Sequence, residues 1–468
     1  MVEVTPFLLK DHSPLYVQLY EHIKNEIKED VIPLGSKLPS IRALSNHLNI
    51  SNNTVALAYE LLREEDYIES KPRSGMYVKQ EIDEISCFTT EEISKENIES
   101  SLQEIKEYQY DFHYGTVDST LFPFKMFNRI ANDIYYQNQY ELFKYGHQQG
   151  EPGFRNELHK YLCSSRGVKC QPEQIIVTSG TQQSLTMLSQ LINIWDRSVG
   201  FEEPGYNGAR IVFENLKAEL IPIELTKDGI CMGELNKTNP GCLYVTPSHQ
   251  FPNGYIMSME KRLSLLQWAY DNDSWVIEDD YDSEFKYHGR PVQSIQGIGC
   301  GKNVIYLGTF SKSFLPSIRI SYMVLPYKLL QKYHQSFALY EQTVPRIHQW
   351  ILEEFMKTDD WNKHIKRMRS IYRKKHIAIM TAIKEYLDTN KLKVLGKDSG
   401  LHLLIKFNGK TEEELIELAE QVSVKVYPTS QYWKNKQRDT NGTVLLGFGA
   451  LSEKQIKEGI KLLSKVWL

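Results

Sequence analysis

Three short stretches of the 468-residue chain place reactive side chains where a strand-like run gives way to a turn. Lys312 lies in GTFSKSFLPSIR after the apolar run NVIYL. Asp279 ends WVIE within EDDYDSEF, and Ser179-Gly180-Thr181 separates IIVT from the helical run QQSLTMLSQLI. A primary amine can bond an aldehyde carbon as an imine, and a carboxylate can hold a protonated ring nitrogen. A glycine turn entering a helix offers N–H groups and hydroxyls to a phosphate. Taken singly, each has a plainer reading as a solvated lysine, a turn acid or an ordinary capped helix.

Together these groups describe a pocket for pyridoxal 5′-phosphate. Lys312 would form the imine, and Asp279 would pair with the pyridine nitrogen so that the protonated ring acts as an electron sink. Tyr281 would reach the ring's phenolic oxygen. Thr309, Ser311 and Arg319 would join Ser179, Gly180 and Thr181 around the phosphate, for which the planar fork of arginine is suited.

The elements that must position this chemistry are an alternation of short apolar runs with helical patterns. QIIVTSG, CLYVTPS, SWVIEDD, NVIYLGTF and RISYMVLP predict buried, mostly parallel strands of an α/β unit. LHLLIKF, VSVKVYP and TVLLGFGAL, with a capping box at Ser452 and Gln455, predict a smaller α+β lobe.

The N-terminal region has a different pattern. Leu15, Leu19, Ile23 and Ile27 recur at helical spacing, and Ser40 caps a short helix, IRALSNHL. Ser51 opens another helix in which Val55, Ala58 and Leu62 pack and Asn52, Asn53 and Tyr59 point outward. YIES and MYV predict two strands around the turn Lys71-Pro72-Arg73-Ser74-Gly75. The sum is a winged helix. No acid occurs between Val31 and Tyr59, where Lys37 and Arg42 lie, or from Ser70 to Gln80, where Lys71, Arg73 and Lys79 lie. Phosphates would meet these cations, and Ser51, Asn52, Asn53 and Thr54 are placed to read base edges of double-stranded DNA.

The net charge of −4 speaks against a histone-like nucleic-acid binder only as an average. Residues 81–107 alone hold 9 acids and 2 bases, without an apolar stripe, and read as a linker. The expected organisation is a DNA-binding domain over residues 10–80, a linker over 81–107 and a large domain over 108–468. Six dispersed cysteines without a C-x-x-C pair suggest neither a metal ribbon nor a disulfide framework. With no signal-peptide pattern and no long apolar run, the expectation is a cytoplasmic protein without a membrane partner.

KLPSIRALSNHLNISNNTVALAYELLREEDYIESKPRSGMYV resembles the GntR-type winged helix, whose members often place a basic residue where Asn52 stands. Residues 110–468, through TSGTQQSL, EEPGY, TPSHQFPNG, EDDYDSEF and GTFSKSFLPSIRISY, resemble a fold type I, class I aminotransferase. The fusion resembles the MocR subfamily of GntR-type transcription regulators. The resemblance implies that Tyr206 stacks on the cofactor ring, that His249 lies in the loop lining it, and that Tyr145 reaches the cofactor phosphate of a partner subunit in a homodimer. Such aminotransferases usually hold the substrate carboxylate with an arginine in a late strand. TVLLGFGAL has none, and Arg438 stands in a loop. The expected function is a pyridoxal-phosphate-dependent regulator sensing an amine, an amino acid or the cofactor itself, with a half-reaction left open. The alternative is a working aminotransferase with an accessory DNA-binding domain.

Overall fold

The computed structural model describes residues 4, 14–72, 74–79, 106–287, 292–299, 301–434 and 442–468. The chain divides into two compact units, residues 1–105 and 106–468. The expected linker, apart from Lys106 and Glu107, lies outside the described residues, as do Arg73 and Arg438.

In the first unit, helices Leu15–Lys28, Ile41–Leu48 and Asn52–Glu64 precede an antiparallel pair, Ile68–Lys71 and Gly75–Val78. Leu19, Ile23, Leu44, Val55, Ala58, Tyr59 and Leu62 form one buried core. Asn49, in the left-handed region at φ 54°, ends the middle helix and turns the chain into the next. The wing turn is tighter than expected: Lys71 and Gly75 pair as strand residues.

The second unit is built on an eight-stranded mixed sheet. In sheet order its strands are Ile175–Thr178, Ser321–Val324, Val304–Thr309, Trp275–Asp280, Cys242–Val245, Ser198–Glu203, Glu219–Thr226 and Gly229–Ile230. The five strands expected from sequence all lie in it. From Val304–Thr309 through Glu219–Thr226 neighbouring strands run parallel, so their carboxyl ends open on one edge. Both faces are covered by apolar side chains of helices, which explains runs such as IIVT and CLYV without polar alternation.

A smaller antiparallel sheet, Leu392–Leu395, His402–Phe407, Thr443–Gly447 and Tyr427–Pro428, packs against helices Asp360–Tyr386 and Glu453–Trp467. The last helix starts with the expected reciprocal capping of Ser452 and Gln455. VSVKVYP is not one strand. Val424–Lys425 pairs with Tyr110–Asp111, whereas Tyr427–Pro428 pairs with Thr443–Gly447, at a sheet edge where a proline without an N–H is tolerated. Among the described residues no helix is long and apolar enough to cross a membrane.

Candidate functional site

Glu278, Asp279 and Asp280 are consecutive acids on a fully buried strand, and successive side chains of a strand face opposite ways. Glu278 lies 3.6 Å from Arg262 and accepts the backbone N–H groups of Ile295 and Gln296. Asp280 accepts from Arg166 Nε and from the Tyr306 hydroxyl, both at 2.6 Å. Burial pushes the Asp280 carboxyl up, but Arg166, the Tyr306 hydroxyl and Ser248 together outweigh it and hold the group below its ordinary value. Asp279 faces the other way and meets no cation. Its Oδ2 accepts from Tyr244 at 2.6 Å, and its Oδ1 is buried with no hydrogen-bond partner. Burial pushes its carboxyl up to about 7, against the pull of Tyr244.

Asp279 lines a cavity of about 270 Å³ at the carboxyl ends of the parallel strands. Thr181, Tyr206, Tyr281, Thr309, Ser311, Lys312 and Arg319 line it too. The Lys312 ammonium donates to the Tyr114 carbonyl at 2.6 Å. Enclosure brings its pKa down to about 8, with Asp282 opposing. The helix Thr181–Leu191 opens on this cavity without a side-chain cap, so its first-turn N–H groups lack the usual hydroxyl or carboxylate acceptor. Gly180, at φ 122°, lies under Arg319, and a Cβ there would collide with the guanidinium. Thr309 Oγ1 accepts the Ser311 N–H at 3.1 Å, shaping the turn before Lys312.

The remaining expected residues lie elsewhere. Ser179 and Gly180 form the turn behind Thr181 and do not line the cavity; the Ser179 N–H and hydroxyl both bond Gln183 Oε1, at 2.6 and 3.0 Å. His249 is also not in the lining. It sits one layer back, its Nδ1 2.8 Å from Asp282 Oδ2 and 3.0 Å from the Tyr281 hydroxyl, because the loop presents Phe251 and Tyr281 inward instead. Tyr145 is 79% exposed and does not line this chain's own cavity.

Tyr114, Gln182, Tyr244, Phe251, Asp282, Leu401 and His402, none of them expected from sequence, also line the cavity. Gln182 and Asp282 stand inside motifs already singled out. Tyr244 lies in CLYVTPS, expected as a strand, but that this strand neighbours WVIEDD emerges only from the sheet order. Tyr114 and His402 come from distant segments and carry no local signal.

In the winged helix, Lys37, Ser40 and Arg42 share a groove with Ser70 and Ser74 of the wing. Ser40 accepts from Ala43 N–H at 3.2 Å and Ser51 from Thr54 N–H at 3.1 Å, so both act as helix caps. Asn53 is exposed; Asn52 Oδ1 accepts the Ser45 hydroxyl at 2.6 Å, tying the two helices of the turn. Lys71 pairs with Glu69 at 3.2 Å and lies over the Tyr77 ring. Tyr59 contradicts its expected outward position. It is 1% exposed and donates its hydroxyl to the Pro39 carbonyl at 2.9 Å, because it extends the Val55, Ala58 and Leu62 stripe at helical spacing.

Comparison with known proteins covers both units. Residues 15–78 match the family of bacterial regulatory proteins of the gntR type, and residues 119–461 match aminotransferase class I and II. YdeL of Bacillus subtilis, named as an uncharacterized HTH-type transcriptional regulator, is 44% identical over 471 residues and 100% of both chains. The probable rhizopine catabolism regulatory protein MocR of Rhizobium meliloti is 30% identical, over 97% of this chain and 94% of that one. The chain belongs to the MocR-type HTH regulators of the GntR family. The body of this MocR-type regulator shares its fold with an archaeal alanine:glyoxylate aminotransferase, at a TM-score of 0.70 and 24% identity, over 80% of this chain and 93% of that one. Its GntR-type helix-turn-helix implies DNA binding.

Proposed function

We propose that this MocR-type regulator holds pyridoxal 5′-phosphate at Lys312 and uses it to sense an amino compound, or the cofactor itself, on behalf of its DNA-binding unit. The observation that supports this most is Asp279 Oδ1, an unpartnered carboxylate oxygen in the same cavity as a lysine amine and an uncapped helix start. These are the three complements the group requires: a cation acceptor for its ring nitrogen, an amine for its aldehyde and N–H donors for its phosphate.

When bound, pyridoxal phosphate supplies an aldehyde that can exchange one amine for another and a protonated ring that withdraws electrons. Lys312 offers the primary amine, positioned by the Tyr114 carbonyl. Asp279 Oδ1 would hold the ring-nitrogen proton, while Tyr244 fixes the other carboxylate oxygen. Thr181, Ser311 and Arg319, all in the lining, would surround the phosphate. Tyr206 and Phe251, 5.7 Å apart and edge-to-face, would wall the ring. Among the described lining residues Arg319 is the one guanidinium, and its place over the helix start favours the phosphate over a substrate carboxylate as its partner. That supports sensing over sustained turnover. Working transamination is the second reading, favoured by the otherwise full set of cavity groups.

A homodimer is part of this reading. Phe143 (93% exposed), Tyr145 and Leu339 (96%) present apolar surface that a second copy would cover, with Tyr145 reaching the partner's cavity.

The test loads full-length protein with pyridoxal phosphate, reduces it with borohydride and maps the adduct. Modification at Lys312, together with a DNA footprint upstream of its own or a neighbouring gene that changes on adding cofactor or amines, supports sensing. Sustained keto-acid production favours the aminotransferase, and absence of any footprint sinks the regulator.

A further inference from the structure

A second chemical cluster lies outside the cofactor cavity. The helix Pro152–Arg166 sets His159 and Cys163 four residues apart, on one face. Gly167, at φ 66°, ends the helix and returns the chain so that Cys170 comes back beside them. Cys163 Sγ lies 3.6 Å from His159 Nδ1 and donates to the Val168 carbonyl at 3.2 Å. Cys170 Sγ lies 3.8 Å from the same Nδ1, and its thiol also meets that of Cys163. Cys163 is exposed and Cys170 buried. The groove they line also carries Lys169, Lys302 and Lys328, the last 3.7 Å from Asp273. Among the described residues no group of three or more His, Cys, Asp or Glu side chains is arranged to hold a metal ion.

We propose that Cys163 and Cys170 form a peroxide-responsive dithiol, with Cys163 the sulfur attacked first and Cys170 its resolving partner. Burial and the neighbouring Cys163 push the Cys170 thiol up to about 12, which leaves the exposed sulfur as the nucleophile. The Cys163 sulfur attacks one oxygen of hydrogen peroxide, the O–O bond breaks, and the thiol proton leaves through His159 with the departing hydroxide as water. Cys170 Sγ then attacks the Cys163 sulfenic acid. The S–O bond breaks, the S–S bond forms and a second water carries off the Cys170 proton. Two thiols and one peroxide become one disulfide and two waters. The closed loop contains Arg166, the partner of Asp280, so the bridge constrains a support of the strand that carries Asp279.

The experiment treats the full-length protein with hydrogen peroxide under native conditions and maps tryptic peptides without reduction. Peptides 161–166 and 170–197 are expected to be joined, and to separate on reduction. In Cys170→Ser, or in Cys170→Ala should the buried serine hydroxyl prevent folding, dimedone is expected to capture Cys163 as a sulfenic acid in most chains, against almost none in the parent. In Cys163→Ser, Cys170 is expected to stay unmodified. Cys163 remaining a thiol while another cysteine oxidises, or pairing of Cys163 with any sulfur other than its own chain's Cys170, overturns the assignment.

Discussion

The Tyr244 hydroxyl donates to Oδ2 of Asp279 at 2.6 Å, leaving Oδ1 of the same buried carboxylate without a partner. The two residues sit on adjacent parallel strands, Tyr244 opposite Ile277, so the bond crosses a register step of two. Tyr244→Phe keeps the ring packing and removes one donor to the carboxylate. Asp279, already raised to about 7, is expected to rise further and to hold a protonated ring nitrogen less well. Affinity for pyridoxal phosphate at neutral pH should fall by about 1–2 kcal/mol, or roughly tenfold, by equilibrium titration. An unchanged affinity would remove Tyr244 from the site's electrostatics.

Lys312 attacks an aldehyde only as the neutral amine, and its pKa of about 8 lies below the ordinary lysine value. The rate of covalent attachment is therefore expected to climb about tenfold per pH unit below pH 8 and to level off above it. The same lowered pKa affects stability. In the window from about 8 to the ordinary value of 10.5, the unfolded chain holds the proton and the folded one does not, so this group's contribution becomes more favourable as pH rises. Absorbance-monitored binding across that range checks the profile, and Lys312→Ala should abolish it.

Gly180 combines a positive φ with a position in which an added Cβ would meet the Arg319 guanidinium. Gly180→Ala should displace the guanidinium and weaken phosphate binding. Affinity for pyridoxal phosphate is expected to drop by at least about 1 kcal/mol, while that for pyridoxal, which lacks the phosphate, changes less. Equal losses for both would argue against a phosphate site here.

Arg166 and Asp280 form a buried pair with the Tyr306 hydroxyl on the same oxygen. Arg166→Met leaves an uncompensated carboxylate and should cost about 3–5 kcal/mol, seen as a lowered Tm of the aminotransferase-like unit. Adding Asp280→Leu should recover much of that loss, because the pair is replaced together. No recovery in the double variant would mean that the two residues do not act as a pair.

The winged helix separates contact from support. Lys37→Ala and Arg42→Ala are each expected to weaken binding to all DNA sequences alike and to lower the salt slope by about 1. Tyr59→Phe, which loses the bond to the Pro39 carbonyl, should cost about 1 kcal/mol of unit stability and leave the salt slope unchanged. Salt-dependent titration and thermal unfolding distinguish the two classes.

Much of the cavity was legible in the chain because its chemistry sits where local patterns change. Lys312, Asp279 and Thr181 follow apolar runs that can only be buried strands, and a parallel sheet brings such strand ends to one edge. Helix starts at Ser40, Ser51 and Ser452 were equally local, since a cap bonds its own first turn. Tertiary structure decided what depends on neighbours remote in sequence. Of three adjacent acids, Glu278 and Asp280 were given arginines from other elements and Asp279 was left facing the cavity. Tyr59 lies on the buried stripe of its helix, and Pro39 supplies the carbonyl that satisfies its hydroxyl there; His249 withdrew behind Tyr281, where Asp282 offers a buried acceptor. VSVKVYP broke in two because its halves found different partner strands. Periodicity states which residues can share a face; only the assembled chain supplies the partner that determines which way a polar group points.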